Sequence, residues 1–246
     1  MHRFFAPSLD PGDDIVKLPR EEAEHLVRVL RLSAGDTVAV FDGHGLQFVG
    51  RIISATRGDV RVQLVARRAA AAEPAVALTL VQAVLKADKM DEIVRDAVML
   101  GVASLQPIVT RRSEVTVAAL LRSGRIERWR RVALASVKQS GRAVVPDIRT
   151  PLTLDNYLGE PPCAFTLMLI EPSASAHAEP LSVLRTAPPP SEAALIVGPE
   201  GGWVEEEWRA AAGRGARLVT LGHRTLRADA VSVAAISVLQ FLWGDL

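Results

Sequence analysis

The sequence predicts an α/β fold with a mostly parallel sheet, preceded by a small β domain. From residue 75 to the C-terminus, apolar runs that suit buried strands alternate with segments of helical apolar periodicity. Before residue 70, strand candidates follow one another directly through tight turns, a pattern typical of hairpins. We therefore expect two domains, residues 1–70 and residues 75–246, joined by the alanine-rich segment 69–74.

The first domain contains one helix and three strand candidates. The helix begins at Pro19, with Glu21 and Glu22 in its first turn, and should end at Gly35. The strands are predicted at 37–41, 46–55 and 60–66, with glycine turns between them. Consecutive hairpins favour a small barrel-like sheet, a shape often used to bind nucleic acid. The many arginines of this region fit RNA contact and a solvated basic face equally well.

The second domain alternates strands and helices. Strands are predicted at 76–85, 105–109, 165–170, 194–197 and 217–220. Helices are predicted at 90–100, 125–140, 204–212 and 228–242, with connections at 147–162 and 187–190. Because the last helix carries few charges, it must be buried under its own sheet or against a second subunit. We favour a homodimer on that ground.

Composition narrows the class of protein. A content of 49% hydrophobic and 23% charged residues is typical of a soluble globular chain, and a net charge of +1 limits any nucleic-acid surface to a local patch. The single cysteine, Cys163, excludes an internal disulfide and a cysteine-cluster metal site. The histidines lack the spacing of metal ligands: His2, His25, His44, His177 and His223. Without a signal sequence or an uninterrupted apolar span, we expect a cytoplasmic protein with no membrane or metal partner.

Two glycine loops carry the chemistry. The apolar runs that end near residues 197 and 220 each break at glycine before a helical pattern, which leaves backbone N–H groups at the end of a buried strand. One such loop alone would suggest an ordinary strand-to-helix turn. Two loops, with Glu200 in the first and Arg227 and Asp229 in the second, favour a ligand pocket. The motifs of common dehydrogenases, NTPases, serine hydrolases and zinc proteases are missing.

The motifs Gly198-Pro-Glu-Gly-Gly202 and Leu221-Gly-x-x-x-Leu-Arg227 resemble the cofactor loops of SPOUT methyltransferases. Within that superfamily the chain is most similar to the RsmE family. Further segments match that family in order: Met1-His-Arg-Phe-Phe5, Val29-Leu-Arg31, Lys86-Ala-Asp-Lys-Met-Asp91, Leu100-Gly-Val102, Arg112-Ser113, Gln139-Ser-Gly-Arg142 and Val145-Pro146. Two positions depart from the family: Asp229 replaces a glutamate, and Met99 replaces a glutamate before Leu100-Gly.

The resemblance implies a PUA-like β-barrel domain for RNA binding and a C-terminal SPOUT domain with a trefoil knot. It implies methylation of N3 of a uridine in the decoding region of 16S ribosomal RNA, with S-adenosyl-L-methionine as the methyl donor. The partners would be 16S rRNA or the 30S subunit, together with a second copy bound through the SPOUT domain.

The same resemblance assigns roles to individual residues. Arg227 would stabilise the developing oxyanion of the uracil ring, and Glu200 or Asp229 would take the proton, although helix capping explains either acid equally well. Cofactor contacts would come from Leu169, Ile196, Gly198, Pro199, Glu200, Gly201, Leu221, Gly222 and Leu226. RNA contacts would come from Arg3, Arg31, Lys86, Lys89, Arg111, Arg112, Gln139 and Arg142.

Two other functions compete with this one. A SPOUT ribose 2′-O-methyltransferase would need an early asparagine, yet the only asparagine is Asn156, in a predicted loop. A non-enzymatic RNA-binding or ribosome-assembly factor would not need the intact glycines and Arg227.

Overall fold

A computed structural model describes residues 1–172, 174 and 178–246, so that His177 lies outside the described residues. The chain divides into two compact units. The smaller unit consists of residues 1–73 and 137–145, and the larger unit of residues 74–136 and 146–246. The first boundary falls inside the predicted linker. The return of residues 137–145 to the smaller unit differs from the two uninterrupted domains expected from the sequence.

The smaller unit is built on a five-stranded sheet. Its elements are β1 (Arg3–Phe5), β2 (Ile15–Lys17), α1 (Arg20–Glu24), β3 (Thr37–Phe41), β4 (Gln47–Thr56) and β5 (Asp59–Arg67). The antiparallel meander β3-β4-β5 confirms the predicted hairpins. At the edges, β1 pairs in parallel with β3, and β2 pairs antiparallel with β5. Neither edge strand was predicted, because three residues are too few to show an alternating pattern.

The helix of the smaller unit is shorter than predicted. After α1 the chain forms one π-helical turn, His25–Val29, in which the N–H of Leu30 donates to the carbonyl of His25 at 3.1 Å. Arg31 follows with a positive φ of 55°, a conformation that a helix cannot continue through. The predicted end at Gly35 is therefore wrong.

The larger unit contains a parallel sheet in the order β11-β13-β10-β12-β6-β7-β8, with β9 also beside β7. The strands are β6 (Ala77–Ala83), β7 (Ser104–Val109), β8 (Asp147–Ile148), β9 (Leu152–Thr153), β10 (Thr166–Leu169), β11 (Glu179–Pro180), β12 (Glu192–Val197) and β13 (Arg217–Thr220). The helices are α2 (Lys89–Met99), α3 (Val117–Arg122), α4 (Arg125–Ser140), of which residues 137–140 belong to the smaller unit, α5 (Leu154–Gly159), α6 (Glu205–Gly213) and α7 (Ala228–Trp243). The predicted α/β fold with a mostly parallel sheet is confirmed, and the trefoil knot stays a prediction.

Short elements of the larger unit were missed. The connection predicted at 147–162 contains β8, β9 and α5, and α3 was not predicted. Both short helices begin at a threonine whose hydroxyl accepts a backbone N–H: Thr116 caps α3 and Thr153 caps α5. Caps of this kind start helices too short to show apolar periodicity.

The last helix, α7, packs against α2 and β12. Its buried side includes Ala235, Ile236 and Leu239. On its other side Phe241 is 66% exposed. Helix α7 is therefore buried along one face only.

No helix in the described part of the chain is long and apolar enough to cross a membrane. Within the same residues, no cluster of potential metal ligands occurs.

Candidate active site

A cavity of about 860 Å³ lies at the carboxyl ends of β10, β12 and β13, three neighbouring strands of the parallel sheet. Its walls are formed mainly by the segments that follow these strands, residues 169–172, 197–203, 220–221 and 224–228. Loops at this edge of a parallel sheet are where such folds bind ligands. The volume is in the range of small-molecule sites. The two glycine loops predicted from the sequence meet in this one cavity.

The first glycine loop is packed against an indole ring. The ring of Trp203 is buried, and its Nε1 donates to the carbonyl of Leu169 at 2.7 Å. A Cβ atom on Gly198 would lie 2.9 Å from this ring, closer than side chains approach. Glycine at 198 therefore lets the loop pass over Trp203, and the backbone forms the wall of the cavity.

Arg112 supports the same loop from outside the strand ends. Its Nη1 donates to the carbonyl of Gly201 at 2.5 Å, and a Cβ on Gly201 would lie 3.1 Å from the Arg112 Cβ. Gly202 adopts a φ of +70°, which favours glycine. The loop is thus fixed by both its backbone conformation and an arginine that was predicted to bind RNA.

Glu200 connects the first glycine loop to the segment before α2. Its Oε1 accepts from the backbone N–H of Lys86 at 3.2 Å and from Nζ of Lys89 at 3.1 Å. Burial favours the neutral acid, but the backbone N–H groups of Glu200 and Lys86 and the Lys89 ammonium outweigh it and lower the pKa of Glu200. A carboxylate held in its charged form by these partners is a weak proton acceptor. Its position explains it better as an anchor of the loop.

We predict that Glu200→Gln destabilises the protein only where the wild-type residue is ionised. A lowered pKa means that Glu200 contributes stability above the ordinary glutamate value, about 4.3, and loses this contribution as the pH falls through its lower folded value. Thermal unfolding of wild type and Glu200→Gln should differ at pH 7 and converge towards pH 3. Glu192→Gln, at the exposed start of β12, is the control. A difference that grows with acid would contradict the role.

The second glycine loop leads into α7. Arg227 is the residue before the helix, and its side chain is 76% exposed and lines the cavity. Asp229 lies in the first turn, with Oδ2 3.2 Å from Nη2 of Arg227 and Oδ1 accepting from the N–H of Ala230 at 3.1 Å. The two residues predicted as catalytic in this loop therefore form an ion pair at the start of a helix. Asp229 itself is not part of the cavity wall.

The predicted cofactor residues fall into two groups. The residues that line the cavity are Leu169, Gly198, Pro199, Glu200, Gly201, Leu221 and Leu226. Ile196 is fully buried in the hydrophobic cluster with Met168 and Ala194, and its neighbour Val197 lines the cavity instead, because alternate residues of a strand face opposite sides. Gly222 has a φ of +114° and shapes the turn without lining the cavity.

Five of the residues predicted to bind RNA are exposed: Arg31, Lys86, Arg111, Arg112 and Gln139. Lys89 is less accessible, because it is bound to Glu200. Lys86 pairs with Glu114 at 2.5 Å through its side chain, which is 54% exposed. Lys89 and Arg112 line the cavity, together with Arg224 and Arg227. The cavity therefore has a cationic rim that suits a phosphate backbone.

Arg3 and Arg142, two further residues predicted to bind RNA, are both bound inside the smaller unit. Arg3 donates to the carbonyls of Val137 at 2.8 Å and of Arg142 at 2.6 Å. Arg142 is 3% exposed and pairs with Glu73, with its Nε 3.0 Å from Oε2. Both guanidinium groups hold residues 137–145 in place, and RNA contact by these two residues stays a prediction.

Residues 72–240 match the family model described as an RNA methyltransferase domain. The chain belongs to this RNA methyltransferase family. Residues 18–65 match a second model, the RNA methyltransferase PUA domain, which agrees with the β-rich smaller unit. The resemblance of the glycine loops to the RsmE family is also confirmed, by relatives along the whole chain.

Relatives of this RNA methyltransferase cover its full length. The structure of ribosomal RNA small subunit methyltransferase E from Neisseria gonorrhoeae bound to S-adenosyl methionine is 30% identical, with a TM-score of 0.89 over 100% of this chain and 99% of that one. A methyltransferase from Legionella pneumophila in complex with the same cofactor is 28% identical, with a TM-score of 0.88 over 98% and 97% of the two chains. Ribosomal RNA small subunit methyltransferase E of Rickettsia conorii is 28% identical over 98% of this chain and 96% of its own.

Several cavity residues of this RNA methyltransferase were missed by sequence reasoning. Glu171 and Pro172 follow β10, Trp203 and Arg224 lie in the glycine loops, and Trp208 lies on α6. The Glu-Pro pair directly after a buried strand was a usable signal, since the carboxyl ends of neighbouring parallel strands meet at one edge. The tryptophans gave no such signal, because sequence alone does not distinguish a cavity wall from a core.

Proposed function

We propose that this protein methylates N3 of a uridine in 16S ribosomal RNA, with S-adenosyl-L-methionine as the methyl donor. We propose that it does so in the cytoplasm. The observation that carries the proposal is the meeting of two glycine loops in one cavity, with Arg227 on its wall. Support also comes from the full-length relatives named as small-subunit ribosomal RNA methyltransferases. The target uridine in the decoding region rests on the resemblance to the RsmE family.

The cavity fits the cofactor chemically. S-adenosylmethionine has a flat apolar base, polar hydroxyls and a charged tail, and when bound it supplies an electrophilic methyl group. The loop backbones at Gly198 and Leu221 offer main-chain groups, while Leu169, Val197 and Leu226 offer apolar walls. These residues would hold the cofactor without a phosphate-binding motif.

Arg227 would act on the RNA. Loss of the N3 proton spreads negative charge onto the two carbonyl oxygens of uracil, and a guanidinium that is always protonated can donate to that charge. Asp229 holds one edge of this guanidinium through the 3.2 Å ion pair. We therefore assign Asp229 to positioning and Glu200 to anchoring the glycine loop. The N3 proton then passes to water, which reaches the exposed side chain of Arg227.

The test is a methylation assay with product identification. The protein is incubated with tritiated S-adenosylmethionine and either naked 16S rRNA or 30S subunits from a strain lacking the gene, and the nucleosides are separated by mass spectrometry. We expect 3-methyluridine, which blocks the pairing edge and stops reverse transcription at one position. A product of 2′-O-methyluridine would support the ribose methyltransferase instead. No incorporation into either substrate would refute the proposal.

We also propose a homodimer through α7. Phe241 is 66% exposed and Val238 is 36% exposed on a helix of mostly apolar residues, and two copies of such a face can cover each other about a two-fold axis.

Introducing a charge at Phe241 should break that dimer. We expect Phe241→Glu to be monomeric in size-exclusion chromatography with light scattering, because a buried unpaired carboxylate is costly. The control is Val65→Glu, since Val65 is equally exposed, at 67%, on β5 of the smaller unit. A monomeric wild type, or an unchanged mass for Phe241→Glu, would refute the dimer.

A further inference from the structure

Two carboxylates line the cavity in the described part of the chain, Glu171 and Glu200. Their surroundings differ. Glu200 is engaged by the N–H of Lys86 and the ammonium of Lys89. Among the described residues, Glu171 forms no ion pair with any lysine or arginine, although four such cations lie on the same cavity. Within the described residues, the cavity thus contains a carboxylate that no lysine or arginine pairs with.

Glu171 is nevertheless held in place. Its Oε1 accepts the backbone N–H of Trp203 at 3.1 Å, and Trp203 is itself fixed by its indole hydrogen bond to Leu169. Gly202 lies against the carboxylate, since a Cβ there would be 2.1 Å from Oε1. The carboxylate therefore lies at the contact between the end of β10 and the first glycine loop, with little freedom to move away. A group fixed before binding costs less entropy when the ligand arrives.

The chemistry of a carboxylate defines its partner. An ionised glutamate only accepts hydrogen bonds and has room for about four, of which the Trp203 N–H takes one. The loop that it contacts is the one proposed to hold the cofactor. S-adenosylmethionine carries donors at the adenine amino group, the two ribose hydroxyls and the α-ammonium group. The remaining capacity of Glu171 matches one of these donors.

We propose that Glu171 is a cofactor-binding residue that accepts a hydrogen bond from a donor group of S-adenosylmethionine. This inference rests on the proposed function. It separates Glu171 from the proton transfer at uridine: the residue sets the affinity for the cofactor and not the rate of methyl transfer.

The test measures binding by isothermal titration with S-adenosylhomocysteine, the stable product form of the cofactor. A charge-assisted hydrogen bond is worth about 1.5–3 kcal/mol, so Glu171→Gln should weaken binding about tenfold or more. The KM for S-adenosylmethionine should rise with little change in kcat. Glu192→Gln, at an exposed position at the start of β12, is the matched control. Unchanged affinity in Glu171→Gln, or a loss of kcat at unchanged affinity, would overturn the inference.

Analogues identify the donor. Four forms of S-adenosylhomocysteine, lacking the adenine amino, the 2′-hydroxyl, the 3′-hydroxyl or the α-amino group, are titrated into wild type and Glu171→Gln. The analogue that lacks the donor bound by Glu171 should bind wild type more weakly than S-adenosylhomocysteine does. Glu171→Gln should bind this analogue and S-adenosylhomocysteine with similar affinity. If Glu171→Gln fails to fold, wild type alone still tests the inference. An affinity for each of the four analogues equal to that for S-adenosylhomocysteine would refute it. Methylation of rRNA by wild type is assayed in parallel, because its failure would refute the proposed function instead.

Discussion

Replacing Arg227 with alanine should reduce methyl transfer about 100- to 1,000-fold, the range found when one donor to a developing oxyanion is removed. The charge on uracil forms only as the N3 proton leaves, so the loss should fall on kcat. Arg227 is 76% exposed and lies on the cavity wall, so its removal should leave the fold intact and cofactor affinity in part. Single-turnover transfer to 16S rRNA measures the first quantity and isothermal titration the second.

Two further variants define that result. Arg227→Lys keeps the charge but not the forked geometry, and should recover only part of the activity. Arg122→Ala, at an exposed position in the last turn of α3, should behave as wild type. Full activity in Arg227→Ala would remove the residue from the mechanism. A loss of cofactor affinity as large as the loss of methyl transfer would make Arg227 a cofactor-binding residue only.

Adding one methyl group at Gly198 should impair cofactor binding. The new Cβ would lie 2.9 Å from the Trp203 ring, and that ring cannot easily retreat because it is buried and anchored to Leu169. The loop must move instead, and with it the main-chain groups that face the cavity. We expect Gly198→Ala to lose at least tenfold in affinity for S-adenosylmethionine.

Thermal unfolding gives the readout. A cofactor concentration of 100 Kd stabilises wild type by about 2.7 kcal/mol, and a tenfold weaker site would gain only about 1.4 kcal/mol at the same concentration. Gly213→Ala is the control, because a Cβ at that glycine meets no atom within 4 Å. Equal stabilisation of wild type and Gly198→Ala would show that the loop does not contact the cofactor.

Much of the fold follows from local patterns. The bounds of β3, α4 and β13 coincide with the predicted ranges 37–41, 125–140 and 217–220, because each is a short apolar run or a helical apolar pattern that ends at a turn or glycine. The glycine loops were also found from sequence. Short edge strands such as β1 were missed because three residues show no period.

The site could be predicted only in part, because its remaining features depend on which strands are neighbours. Glu171 and Trp203 become cavity residues since β10 lies between β12 and β13, an order that no local pattern reveals. Charge was also an incomplete guide. Arg112 and Arg142 were both predicted to bind RNA. In the structure Arg112 supports the glycine loop, whereas Arg142 is buried against Glu73.

The smaller unit is assembled from two separate stretches of the gene. A fragment that stops at residue 73 would contain Arg3 without the carbonyl oxygens of Val137 and Arg142, and Glu73 without its guanidinium partner. No single cut yields the whole domain. Exchange of this domain between relatives must therefore transfer residues 137–145 together with the N-terminal segment. Substitutions in the two stretches are expected to covary.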